Sequence, residues 1–242
     1  MARDLQSRKN PRHVIQFEGR RFENDYVFPA EIAALRAHRT GQFQEAVILQ
    51  WIRAQKLKGA YMDVGAHIGN HTLFFAAFCA STSVTAIEGH PTICDLLDGN
   101  VRRNLSAKEV DKVAIYWAAA WEKSNKKVQF AKIPRNNAGH SHIINTGGRK
   151  DEVGEVEVNT IAIDDIPIDK LVVLKIDVED SEEQVLDGAK LTIAKHRPLI
   201  VIERHNQKQL QAAMQRLQPI GYRIANVWKG VHTYALKAVG HA

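Results

Sequence analysis

The chain has 242 residues, of which 45% are hydrophobic and 25% charged, a balance that suits one large folded domain or two small ones and excludes a disordered chain. Its two cysteines, Cys79 and Cys94, exclude a disulfide framework and a four-cysteine zinc site. The net charge of +6 arises largely near the start, at Arg3, Arg8, Lys9, Arg12, Arg20 and Arg21, and in a second stretch around Lys126 and Lys127; such charge can steer an anionic partner or simply solvate a tail and a loop.

The opening MARDLQSRKNPR is basic, but no apolar region follows it, which argues against a secretory leader. Apolar runs such as Leu73–Ala80 stop well short of the roughly 20 residues needed to cross a bilayer. A cytoplasmic protein without a membrane span is expected. Residues 1–29 are polar and interrupted by Pro11 and Pro29, so they read as an arm with one short strand near Val14–Phe17. From Ala30 to Leu57 apolar residues recur at helical spacing, first Ile32 and Leu35, then Ala46, Val47, Leu49 and Ile52, with Thr40-Gly41 as the break. Two helices are expected there, and residues 1–59 together form an N-terminal arm and helical extension.

From residue 60 short apolar runs alternate with helical stretches. Strands are predicted at Ala60–Val64, Ser83–Glu88, Val113–Trp117, Leu171–Asp177, Pro198–Glu203, Tyr222–Val227 and Thr233–Ala238. Helices are predicted at Asn70–Phe78, Pro91–Leu105, Ser181–Ala194 and Gln207–Leu217. Strand, helix, strand in succession means right-handed crossovers, hence an α/β domain over residues 60–242 with a mainly parallel sheet covered on both faces. Residues 118–170 are polar and carry Asn136-Asn137 and Gly147-Gly148, reading as a β-rich or loop insertion. The last two runs, separated by Trp228–His232, read as a hairpin.

Four motifs carry chemistry. Tyr61–Thr72 runs from a strand through Gly65 and Gly69 into a helix, a turn that leaves backbone N–H groups free for a ligand. His67 stands where a dinucleotide fingerprint has its second glycine, which argues against NAD. Glu88 ends the second strand at about the 20-residue distance that suits a grip on a ribose diol. In Leu174–Glu183, strand geometry puts Lys175, Asp177 and Glu179 on one side if the strand persists; a lysine in an apolar strand needs a carboxylate partner, Asp177 or another nearby. Asp180 with Glu183, or Ser181 with Gln184, is expected to cap the next helix. Glu203-Arg204-His205 ends the fifth strand with two acid–base groups. All these clusters fall at carboxyl ends of successive predicted strands, the edge where open α/β sheets bind ligands.

These residues resemble the FkbM family of S-adenosylmethionine-dependent methyltransferases. The likeness runs through DVGAHIGNHTLF at Asp63–Phe74, IEGHP at Ile87–Pro91, the distal Asn100 and Asn104, NTIAIDD at Asn159–Asp165, LKIDVEDSEEQVLDGA at Leu174–Ala189 and PLIVIE at Pro198–Glu203. The resemblance implies the class I methyltransferase Rossmann-like fold, a seven-stranded, mostly parallel sheet with one antiparallel strand, and O-methylation of a hydroxyl. By position, Asp63, Gly65 and Gly69, with His67 and Asn70 in the same turn, would hold the methionine part of the cofactor. Glu88 with Gly89 would hold the ribose, and Ala119, Ala120 and Trp121 would lie near the adenine. Asp177 would reach both cofactor and acceptor. The family pattern D-x-E-G-x-E departs at Asp180, which replaces the glycine; aspartate tolerates left-handed backbone better than most residues, so the turn is expected to be kept.

Methyl transfer needs positioning and removal of a proton from the acceptor, and Asp177, Glu179, Glu203 and His205 are the candidates for base or orienting group. His140 and His142 in the insertion either close over the acceptor or are surface residues. A divalent cation bridging Asp177 and its neighbours is conceivable, but no metal ligand is assigned. A small-molecule, sugar or glycan hydroxyl is the leading acceptor. A nucleic-acid methyltransferase is the alternative, suggested by the basic arm although no Asn-Pro-Pro-Tyr-type tetrapeptide occurs. A binding module that kept the fold is the third reading. The helical N-terminal segment offers a face for a second copy of the chain, which leaves a homo-oligomer open.

Overall fold

The computed structural model describes residues 12–26, 41–131, 143 and 154–240. It begins with a hairpin of β1 (Arg12–Phe17) and β2 (Arg20–Asp25), in antiparallel register across a turn in which Glu18 and Gly19 both have positive φ. Helix α1 (Ala46–Ala54) follows, the second of the two expected helices; the first, around Ile32 and Leu35, lies outside the described residues. Then come β3 (Gly59–Val64), α2 (Asn70–Phe78), β4 (Ser81–Glu88), α3 (Pro91–Asn104), the short α4 (Ala107–Val110) and β5 (Val113–Trp117). The second half holds β6 (Ala119–Ala120), β7 (Lys127–Ala131), β8 (Gly154–Ile161), β9 (Leu171–Ile176), α5 (Glu182–Asp187), α6 (Lys190–His196), β10 (Leu199–Glu203), α7 (Gln207–Leu217), β11 (Tyr222–Trp228) and β12 (Thr233–Ala238).

Seven strands form one sheet in the order β11-β12-β10-β9-β3-β4-β5. The chain steps outward from β3 through β4 to β5, then returns to lay β9 on the other side of β3, with all these neighbours parallel. This reversal between β3 and β9 is the switch point at which an open α/β sheet leaves a crevice beyond its carboxyl ends. The closing hairpin is antiparallel, as expected, and β12 pairs antiparallel with both β10 and β11.

Alternation along the strands builds two cores. On one face Tyr61, Val84, Ala86, Val173 and Val201 pack with Leu73, Phe74 and Leu97 from α2 and α3. On the other, Met62, Val64, Leu174, Ile176 and Ile202 pack with Val185, Ile193 and Ala213 from α5, α6 and α7. Phe22 and Phe43 bring the N-terminal segment into the first core through edge-on contacts with each other and of Phe43 with Phe74. Asparagine side chains of α3 fasten β2: Asp25 N–H donates to Asn100 Oδ1 at 2.7 Å, and Glu23 N–H to Asn104 Oδ1 at 2.5 Å.

The arm, expected to hold one short strand, carries a two-stranded hairpin, and one helix differs from expectation as well. The helix predicted over Ser181–Ala194 is broken at Gly188-Ala189 into α5 and α6. A Cβ on Gly188 would stand 2.0 Å from the carbonyl oxygen of Trp121, so the chain bends where it meets that segment. Asp164 then takes the first amides of α6, from Leu191 at 3.1 Å and Thr192 at 2.8 Å, a helix start whose orphan donors need such an acceptor. Within 118–170 the described residues form a small sheet of order β6-β8-β7 with its own cluster of Ala119, Phe130, Ile143 and Val158. Among the described residues no helix is long and apolar enough to cross a membrane.

Candidate active site

Beyond the carboxyl ends of β3, β4, β9 and β10 lies a cavity of about 210 Å³. Behind it Asp63 lies fully buried near the end of β3. Thr72 Oγ1 donates to Asp63 Oδ2 at 2.6 Å, and Lys175 Nζ stands 3.2 Å from Oδ1. Lys175 also donates to Gly65 O at 2.9 Å and lies 3.6 Å from Asp177 Oδ2. The buried lysine therefore has two carboxylate partners where one was required. Burial disfavours its ammonium, but Asp63, Asp177 and Glu45 more than offset this and hold its pKa above the ordinary lysine value.

The glycine turn is dictated by close approach. Gly65 has φ +73, and a Cβ there would stand 1.7 Å from the carbonyl oxygen of Asp177. His67 is also left-handed, and Gly69, at φ +98, starts α2. Burial and the adjacent Lys175 ammonium press the His67 imidazole down to about 4, so the ring is neutral at pH 7. Its Nε2 is buried without a hydrogen-bond partner among the described residues.

Glu88 is buried at the end of β4. Its Oε2 accepts from His67 N–H at 2.9 Å and its Oε1 from His90 N–H at 2.8 Å. Burial raises its pKa despite those two amides. Gly89 follows, packed so closely that a Cβ would stand 2.4 Å from the Phe130 ring. Ala119 and Ala120 complete this apolar side, and both line the cavity.

Facing them are Asp177, Glu179 and Glu203. Strand β9 ends at Ile176, so Glu179 reaches the cavity from a turn instead of along a continued strand. In that turn Glu179 has φ +51 and Asp180 φ +74. The left-handed corner is kept with aspartate in the glycine position. Burial and the neighbouring Asp177 push Glu203 up to about 9, whereas Lys175 and the Glu203 hydrogen bond outweigh burial and hold Asp177 below its ordinary value. The pair thus holds one proton, on Glu203. Oxygen atoms of Asp177, Glu179 and Glu203 lie within 4.8 Å of one another, an arrangement able to hold a divalent cation.

Of the residues singled out in the sequence, Gly65, His67, Asn70, Glu88, Gly89, Ala119, Ala120, Asp177, Glu179 and Glu203 line the cavity. Asp63 and Gly69 stand behind it, as support for Lys175 and as the start of α2. Trp121 is not in the lining; its N–H is spent on Ile161 O at 2.9 Å in the small sheet. His205 is not in the lining either; it lies half exposed with Nε2 3.7 Å from Glu203 Oε2. Arg204 turns inward to a buried ion pair with Glu182, and neither expected side-chain cap forms at Ser181, the N-cap of α5. His140 and His142 lie outside the described residues. The cavity also uses Gln44, Glu45, His71 and Phe130, which sequence reasoning missed. His71 sits within the quoted glycine-turn motif, but nothing in the local pattern marks the other three.

A doubly wound α/β sheet, with a glycine turn, a buried strand-end carboxylate and a cavity at its switch point, defines an open α/β protein of the Rossmann-like class. The chain belongs to the FkbM methyltransferase family: the methyltransferase FkbM domain matches residues 63–224. The crystal structure of methyltransferase FkbM from Methylobacillus flagellatus KT is similar in fold, with a TM-score of 0.55 at 19% identity over 74% of this chain. This chain covers 43% of the length of that protein. Precorrin-6y C5,15-methyltransferase from Geobacter metallireducens GS-15 has a TM-score of 0.46 at 13% identity, over 80% of this chain and 86% of that one. No curated protein matches the chain in sequence.

Proposed function

We propose that the chain is an S-adenosylmethionine-dependent methyltransferase that methylates a hydroxyl group on a small molecule, sugar or glycan. The observation that carries this reading is Glu88: a buried carboxylate, oriented by two backbone amides, on the wall of a cavity at the sheet's switch point. A carboxylate so held accepts from both hydroxyls of a ribose, and the second strand end is where such a grip belongs.

The rest of the cavity suits the same cofactor. Ala119, Ala120 and the Phe130 ring form an apolar side for a flat base, and His67 Nε2 is a buried polar atom left for a ligand. Asp177 offers a carboxylate to an ammonium group. When bound, S-adenosylmethionine supplies a methyl group on a cationic sulfonium, transferred by in-line displacement.

The chain's own task is then to orient the acceptor and take its proton. Asp177, kept ionised by Lys175, is placed to accept a hydrogen bond from the acceptor hydroxyl and orient it, with Glu203 donating to Asp177 and Glu179 beside it. His205, outside the cavity, can act only through Glu203. Glu45, Asp177 and Glu179 line the cavity against a single lysine, and such a wall repels a phosphate backbone. A neutral or cationic acceptor is therefore favoured over nucleic acid.

Calorimetry with S-adenosylmethionine tests the reading. Binding by the wild-type chain that weakens at least tenfold in Glu88→Ala is expected. No binding heat from the wild-type chain overturns it.

A further inference from the structure

Segment 41–45 precedes the residues that match the family domain, yet it builds one wall of the cavity. Asn70 clamps it with two hydrogen bonds: Gln44 N–H donates to Asn70 Oδ1 at 2.9 Å, and Asn70 Nδ2 donates to Gln44 O at 2.9 Å. Phe43 anchors it in the ring cluster with Phe17, Phe22 and Phe74. On the other side Glu45 O accepts the first amides of α1, from Ile48 at 2.9 Å and Leu49 at 3.1 Å. Between these anchors Glu45 is left-handed, at φ +55, a conformation uncommon for glutamate that surrounding structure must enforce.

Several of the other carboxylates at the cavity have partners within the site. Asp63 and Asp177 share Lys175, Glu88 is satisfied by two amides, and Glu203 is bonded to Asp177. Glu45 meets His71 Nε2 at 3.3 Å through Oε2, and no hydrogen bond engages its other oxygen among the described residues. It lines the same cavity as Lys175, Asp177 and Glu203.

We propose that Glu45, held at the cavity wall by the Asn70–Gln44 clamp, is a specificity-determining residue that recognises the positive charge of the methyl-bearing sulfonium, so that the site prefers S-adenosylmethionine over its neutral product. The inference rests on the methyl-transfer reading and deepens it. A carboxylate near a unit charge in a partly buried site contributes well above its value in water, whereas the demethylated thioether offers nothing to attract. Product release is eased by the same loss of charge.

The test is calorimetry on the full chain with S-adenosylmethionine and with S-adenosylhomocysteine, for wild type, Glu45→Gln and Glu45→Asp. The two ligands differ in one methyl group and one charge, and retained binding of the second shows that a variant is folded. Glu45→Gln is expected to weaken S-adenosylmethionine about tenfold, the effect of roughly 1.4 kcal/mol, and to leave S-adenosylhomocysteine within about twofold. Glu45→Asp should keep most of the preference. Equal weakening of both ligands, or no change in either, overturns the assignment while leaving the methyl-transfer reading intact. A wild-type chain that binds neither ligand overturns both.

Discussion

Lys175 Nζ lies 3.2 Å from Asp63 Oδ1, and both side chains are buried. Each is the reason the other can be charged at that depth. Removing one partner of a buried pair costs about 3–5 kcal/mol, because the remaining charge is left without compensation. Lys175→Met should therefore lower unfolding free energy by about that amount in urea titrations. Lys175→Met combined with Asp63→Asn should recover part of the loss, and a double variant no better than the single one would contradict the pairing.

Glu203 gives a stability profile with a definite sign. Its pKa rises from an ordinary 4.5 to about 9 on folding, so the folded chain binds a proton that the unfolded chain releases. That contribution is fully present below pH 4.5 and is lost as pH rises toward about 9. Glu203→Gln should flatten the decline in melting temperature between pH 5 and pH 9 relative to wild type. Identical slopes in the two proteins would count against a proton held on Glu203.

How much of this was legible depends on whether a residue's task is local. The strands predicted at Ala60–Val64 and Leu171–Asp177 match β3 and β9 to within a residue because burial on both sheet faces imposes near-continuous hydrophobicity. Gly65, Glu88 and Asp177 were readable because strand ends at a switch point converge whatever the loops do. Glu45 was not readable, since its place depends on Asn70 and a ring cluster contributed by distant segments. The break at Gly188 was hidden for the same reason: it answers to Trp121, far away in sequence. His205 shows the opposite failure, a polar residue at a strand end that lies just outside the cavity.

Asp180 occupies a left-handed position at φ +74 and accepts from Gln209 Nε2 at 2.8 Å. Restoring glycine relieves the backbone but loses that exposed bond and adds unfolded-state freedom, terms of similar size. Asp180→Gly should therefore leave stability within about 1 kcal/mol of wild type. Asp180→Val places a β-branched residue where φ is positive and should cost about 2 kcal/mol. Chemical denaturation of both variants checks the contrast, and equal stabilities would argue against a left-handed corner at this site.

Gly65 is the position where shape and chemistry are hardest to separate, and two ligand readouts separate them. A Cβ there meets the Asp177 carbonyl oxygen at 1.7 Å, and φ of +73 is itself costly for alanine. The loop must therefore move away from β9, which displaces Gly65 O from Lys175 Nζ and shifts Asp177 from the cavity. Gly65→Ala should destabilise the chain by about 3 kcal/mol and abolish detectable S-adenosylmethionine binding. Gly99→Ala, in the middle of α3 with nothing near its absent Cβ, should instead stabilise by about 0.5–1 kcal/mol with binding unchanged. Melting curves and calorimetry on the two variants decide the matter: a Gly65→Ala protein that binds as wild type does would remove the glycine turn from the cofactor site.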